Sequence, residues 1–254
     1  RFGDRGKRLS ELLKADDSVT FEELFSFATD TLVWRARLWM PHILDAYERF
    51  GEELTSSASS LEAAVNLLKK WDFRCEADSN AMALFQLSYL RARLDRENPD
   101  REFKEDDLKK LLKFVDEAAA ELKENFGRMD IPWGKIHYLK HGGLEYPIGG
   151  GSSSLPTPRA CFTRVVDGRL RVVGGSSYHM VVEMSSNPKA LSCFPLGASE
   201  NPNSPHYNDI SEIYAKKEYK PVWFTWEELS QHTESDVTLD APAIRPGQNL
   251  QDSR

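Results

Sequence analysis

The chain has 254 residues, 40% hydrophobic, 29% charged and 11% aromatic, enough for one large domain or two small ones. Its 33 basic residues against 40 acidic ones give a formal net charge of −7, which argues against the overall basic character of a nucleic-acid binder. No apolar run reaches the roughly 18 residues of a membrane span, and three scattered cysteines, Cys75, Cys161 and Cys193, form neither a disulfide framework nor a zinc ribbon.

The first half, to residue 127, reads as helix. Thr20-Phe-Glu-Glu23 is a capping box, in which the threonine hydroxyl caps the helix and Glu23 reaches back. The apolar-rich segment from Phe21 to Met40 follows, and Pro41 is expected to stop it. Ser59-Ser-Leu-Glu62 is a second box, and Leu61, Ala64, Val65, Leu68 and Trp71 continue at helical spacing. Asn80 to Leu94 is a third candidate helix, with Arg91 and Arg93 suited to its carboxy terminus. Glu105 to Phe126 carries the clearest stripe, Leu108, Leu111, Leu112, Val115, Ala119, Leu122 and Phe126, with Gly127 placed to end it.

Past Pro132 the period changes. Ile136 to Leu139 alternates, and glycine pairs or triplets interrupt at 142–143, 149–151 and 174–175. Arg159–Val166 and Leu170–Val173 flank Asp167-Gly168, a hairpin signal. Tyr178 to Met184 has the β-branched and aromatic content of a strand, and Thr225-Trp-Glu-Glu228 opens a short helix. The division expected is a helical region over 1–127, a β-rich region over 128–240 and a flexible tail over 241–254, an α+β chain.

Self-contained catalytic motifs are absent: no G-x-S-x-G, H-E-x-x-H, P-loop or dinucleotide fingerprint occurs. His137 and His141 share one strand face, yet Glu145 is the only nearby acid, so packed or surface histidines are expected rather than a metal site. Ser152, Ser153 and Ser154 lie in a glycine-rich loop that could form an oxyanion nest or simply turn the chain. Asn201 to Asp209 is dense in Asn, Pro and Ser, which make turns by satisfying backbone groups locally. His206, Tyr207 and Asp209 there could serve a site or a rigid loop.

Several of these stretches resemble, in order, the penicillin amidase family of N-terminal-nucleophile hydrolases. Trp133-Gly-Lys-Ile-His137 is similar to a W-G-x-x-H strand, and Pro147-Ile-Gly-Gly-Gly151 to the P-x-x-G-G turn after it. Gly174 to Glu183 resembles a late strand ending in an acid. Pro195 to Asp209, with Ser204, Pro205, His206, Tyr207 and Asp209, resembles the G-x-S-x-x-P-x-S-P-H-Y-x-D-Q block near the family's end. Asp4 to Leu13, with Arg5 and Arg8, is similar to an R-x-x-R-I-x-x-L-L helix. Ile210 departs from the pattern, standing where the family carries glutamine.

The resemblance implies a piece of a four-layer αββα fold. It also implies a parent that hydrolyses a linear acyl amide through an N-terminal serine, whose own amine is the base. That serine, the oxyanion asparagine and any calcium ligands are expected upstream, on the α chain and the first part of the β chain, so this chain is expected to be inactive alone. No cofactor is expected within it. Arg5 and Glu183 are the residues with which it would touch the active site from behind; a helix-start ion pair and a surface acid are the plainer readings. The substrate is a small acyl amide, a β-lactam side chain, an acyl-homoserine lactone or a lipopeptide, and the parent is expected to be periplasmic or secreted. The alternatives are a free-standing non-catalytic binding module that keeps the scaffold, or a compact hydrolase using Ser152 to Ser154. Partly exposed strand edges or self-association are expected of a fragment.

Overall fold

In the computed structural model, residues 2–55, 60–92 and 102–238 are described. Six helices come first: α1 (Asp4–Lys14), α2 (Phe21–Ala28), α3 (Trp34–Leu54), α4 (Leu61–Lys69), α5 (Met82–Ala92) and α6 (Glu105–Phe126). The Thr20 box forms as expected, with the Glu23 amide donating to Thr20 Oγ1 at 3.3 Å and Thr20 N–H donating to Glu23 Oε2 at 2.8 Å. α6 has its expected bounds and ends on Gly127 in the left-handed conformation (φ 76°). Its stripe from Leu108 to Leu122 is buried, against α3 and α5 in particular. Each buried leucine contributes about 1.5–3 kcal/mol of transfer free energy.

Two expectations fail here. The segment Phe21 to Met40 is not continuous, because Thr29, Asp30 and Thr31 divert backbone and side-chain hydrogen bonds away from the helix. Thr29 Oγ1 donates back to Phe25 O at 3.2 Å, and the Asp30 carboxylate accepts the Leu32 amide at 3.0 Å. Pro41 does not stop the helix but sits inside α3. It lies on the exposed side, where water can serve the Arg37 carbonyl that proline leaves without a donor. Ser60 is the N-cap of α4, and its side chain makes no capping bond. Ser59, Arg93, Leu94 and the tail over 241–254 lie outside the described residues.

The strands follow a short helix, α7 (Trp133–Ile136), so the expected W-G-x-x-H strand is corrected: it is strand only from His137 on. β1 (His137–His141), β2 (Leu144–Pro147), β3 (Cys161–Val166) and β4 (Arg169–Gly175) make one sheet in the order β2-β1-β4-β3. β1 runs parallel to β4, and the other pairings are antiparallel. Asp167 (φ 49°) and Gly168 (φ 72°) turn the β3–β4 hairpin, both left-handed as a two-residue turn requires. β5 (His179–Glu183), β6 (Lys189–Cys193) and β7 (Lys220–Val222) form a second, antiparallel sheet. Two more helices, α8 (Ser211–Ala215) and α9 (Trp226–His232), flank β7 in sequence.

The main apolar cluster runs through α3 to α6 and takes in Trp133, Ile136 and Leu155. A smaller one joins Leu139, Ile148, Cys161, Val172, Cys193, Ile210 and Tyr214 across both sheets and α8. Among the described residues, β2, β3, β5 and β7 are sheet edges, and Phe162, Val165, Val173 and Met180 are exposed apolar side chains on or beside them.

Candidate functional site

The two motifs at 133–137 and 147–151 prove to be halves of one joint. Trp133 is buried, donates from Nε1 to Gly150 O at 3.1 Å and stacks on the His137 ring at 4.7 Å between centroids. His137 Nδ1–H donates to Ile148 O at 2.8 Å. Burial drives its pKa down to about 4, so the ring is neutral at pH 7. Gly134 passes so close to Pro147 that a Cβ there would lie 2.6 Å from the Pro147 Cβ. Gly150 (φ 113°) donates its amide to Cys75 O at 2.9 Å, which ties this joint to the helical part.

The turn-rich block makes a second joint. His206 Nδ1 meets Asp209 Oδ2 at 2.8 Å, and Nε2 meets Glu234 Oε2 at 3.1 Å. Both contacts are donations only when the ring is protonated, and the two carboxylates, Asp209 foremost, raise its pKa. Ser204 Oγ accepts the His206 amide at 3.1 Å, and Ser204 O accepts the Tyr207 amide at 3.1 Å. Tyr207 packs on His141 (4.3 Å between centroids), whose Nε2–H donates to Tyr207 O at 2.8 Å. A Cβ on Gly197 would overlap the carbonyl groups of His206 and Tyr207. Ile210 is buried in the smaller apolar cluster, an environment suited to isoleucine rather than to an amide.

Arg5 and Arg8, on successive turns of α1, have different surroundings. Arg8 is buried and bidentate, with Nε and Nη2 each 3.0 Å from the Asp30 carboxylate. Arg74 adds a third contact to Asp30 at 3.1 Å. Burial would raise the Asp30 pKa, but the Arg8 hydrogen bonds, the Leu32 amide and the neighbouring guanidinium charges hold it below the usual carboxylate value. The expected helix-start ion pair belongs to Asp4, which pairs with Arg35 at 3.1 Å. Arg5 is exposed and reaches Pro158 O at 3.4 Å.

His179 Nδ1 is hydrogen-bonded to Tyr219 Oη at 2.8 Å, and burial, then the charges of Arg159 and Arg5, lower its pKa. The structure thus brings His179, Arg159 and Tyr219 toward Arg5. Glu183 is exposed at the far end of β5, four residues or about 13 Å along the strand. Arg159 carried no motif of its own in the sequence, and His179 lay within the 174–183 stretch without being singled out there. The signal open to reading was an arginine in an otherwise apolar strand entry.

Ser152 is buried. Its Oγ donates to Gln86 Oε1 at 2.8 Å and accepts the amides of Ser154 and Leu155, partners that include no base. Among the described residues no three His, Cys, Asp or Glu side chains converge as metal ligands. The three cysteines are free and buried thiols.

Both joints and the α1 arginines lie in the stretches singled out above, and comparisons with known proteins match nearly the whole chain. The family model described as Penicillin amidase matches residues 2–231. The acyl-homoserine lactone acylase PvdQ of Pseudomonas syringae pv. syringae (strain B728a) is 27% identical over 250 residues, covering 90% of this chain and 31% of its own length. The PvdQ of Pseudomonas syringae pv. tomato (strain ATCC BAA-871 / DC3000) is 29% identical over 242 residues, covering 87% of this chain and 30% of its own length. Aculeacin-A acylase of Actinoplanes utahensis is 30% identical over 100 residues, 38% of this chain and 13% of that protein. This chain therefore spans under a third of the length of the curated relatives it matches. A solved structure, the thermostable penicillin G acylase from Alcaligenes faecalis, superposes with a TM-score of 0.52 at 16% identity, over 96% of this chain and 54% of that one. That likeness shows a shared fold, and with the family model matching nearly the whole chain, this protein belongs to the penicillin amidase family.

Proposed function

We propose that this chain is the carboxy-terminal part of an acylase that hydrolyses a linear acyl amide, with the nucleophilic serine in polypeptide outside these 254 residues. One observation carries the reading: nine-tenths of the chain aligns with less than a third of a PvdQ acylase. The described residues add support, since the buried Ser152 is hydrogen-bonded to an amide and backbone groups rather than to a base.

On this reading the chain is scaffold. The 133–151 and 197–209 joints fix its strands, and Arg5, an exposed cation in the first turn of α1, orients an oxyanion donor supplied by the rest of the protein. The relatives' names make an acyl-homoserine lactone the first substrate to try, with lipopeptide and β-lactam amides, which the family resemblance adds, next. The parent works in the periplasm or outside the cell, and any calcium is bound by the other part. The test compares the native protein with the isolated 254-residue chain on a fluorogenic acyl amide. Turnover by the native protein alone supports the reading; equal turnover per mole by the isolated chain sinks it.

A further inference from the structure

We propose that the open face of the four-stranded sheet docks an acidic segment of polypeptide from outside these 254 residues; this rests on the functional reading above.

Strand register decides which side chains share that face. Tyr138 and Lys140 of β1 lie level with Pro147 and Glu145 of β2, and Tyr138 is also level with Arg171 of β4. Arg164 and Val166 of β3 stand opposite Arg171 and Arg169, and alternation along β3 adds Phe162. The face thus carries Lys140, Arg164, Arg169 and Arg171 against the single carboxylate of Glu145, in a chain whose net charge is −7.

Glu145 is already engaged by Lys140 at 3.2 Å and Arg169 at 2.9 Å. Arg164 and Arg171 sit directly opposite each other, an arrangement that destabilises an antiparallel pair unless an anion joins it. Arg171 Nη2 has only the Lys140 carbonyl, at 3.5 Å, and its Nε is buried with no hydrogen-bond partner among the described residues. Arg164 is exposed. At the end of the sheet a cavity of about 460 Å³ is lined by Lys140 and Arg171 together with Leu139 and Val172 of the opposite, buried face and Tyr214, which packs there, and its lining contains no acidic side chain. Phe162, 54% exposed, gives the face an apolar anchor at the sheet edge.

Paired guanidinium groups in this setting match carboxylates, which they bind bidentately. The occupant argued for is part of the same protein, because the matching relatives are about three times as long as the region aligned here. Nucleic acid is disfavoured by the net charge of −7.

The experiment makes Arg164→Lys and Arg171→Lys in the native protein. These keep the charge and give each position an amine that a carbodiimide can couple to a touching carboxylate. Peptide mass spectrometry then identifies the partner. The expected result is an amide link from position 164 or 171 to an Asp or Glu outside the 254 residues. In parallel, Arg164→Glu with Arg171→Glu should weaken retention of this chain by the rest of the protein about tenfold or more. Links only within this chain, links to a second copy, or no link at all would overturn the docking. Intact mass separates the two ideas: native protein with no further polypeptide sinks the functional reading, whereas further polypeptide left unlinked sinks the docking alone.

Discussion

Replacing Arg8 with methionine keeps the length of the stem and removes both hydrogen bonds that the guanidinium makes to Asp30, each 3.0 Å long. The two side chains are only 11% and 6% exposed, so Asp30 would be left buried without its main counter-ion. Breaking a buried pair from one side costs about 3–5 kcal/mol. Arg74 at 3.1 Å and the Leu32 amide at 3.0 Å remain with Asp30, which places the cost near the lower end, about 3 kcal/mol.

For a chain of this size that is a fall in melting temperature of about 6–12 °C. Arg8→Met combined with Asp30→Asn should recover part of it, since no unpaired charge is left behind. The wild-type contribution also has a defined pH sign. The folded pKa of Asp30 is lowered, so its stabilisation is present above the ordinary carboxylate value of about 3.9 and disappears as the pH falls through the folded pKa. Urea unfolding followed by tryptophan fluorescence, across pH, measures all of this. A shift under 2 °C for Arg8→Met, or a double variant as unstable as the two singles added together, would refute the argument.

Three further outcomes follow from the joints. His137 is buried and neutral, with a folded pKa of about 4 below an unfolded value near 6.5; stability should therefore decline by about 3 kcal/mol as the pH drops through that window, and His137→Gln should flatten the decline in the same urea titrations. His206 has the opposite sign: its raised pKa means its contribution is full below about 6.5 and lost as pH rises through the folded value, and histidine NMR should show a pKa above that of a free imidazole. Gly197→Ala should cost about 3 kcal/mol or fail to fold, because the new methyl meets two backbone carbonyls that no rotamer can move; expression as soluble protein with an unchanged melting temperature would contradict this.

Helix bounds were most legible where one physical signal decided them. α6 follows its stripe from Glu105 to Phe126, and the Thr20 and Thr225 boxes set two helix starts. Pro41 misled because the sequence does not show which side of α3 faces water. The break before α3 was marked by Thr29-Asp30-Thr31, but the Arg8 and Arg74 guanidinium groups that pair with Asp30 there come from 22 and 44 residues away. The family resemblance made Trp133 to Ile136 a strand, whereas Gly134, whose amide donates to Ala77 O and which lies close against Pro147, sits in a turn of helix. Motif recognition found the residues of both joints. It could not show that His206, Tyr207 and Asp209 hold a loop to β1 and Glu234, since those contacts depend on chain segments brought together by folding.

A covalent label identifies the residue that performs acyl transfer more directly than any rate. Native protein treated with a sulfonyl fluoride, then digested and mapped, should carry the modification on an amino-terminal serine in polypeptide beyond these 254 residues, while the isolated chain stays unlabelled. Stoichiometric modification of Ser152, Ser153 or Ser154, with loss of activity, would contradict the account.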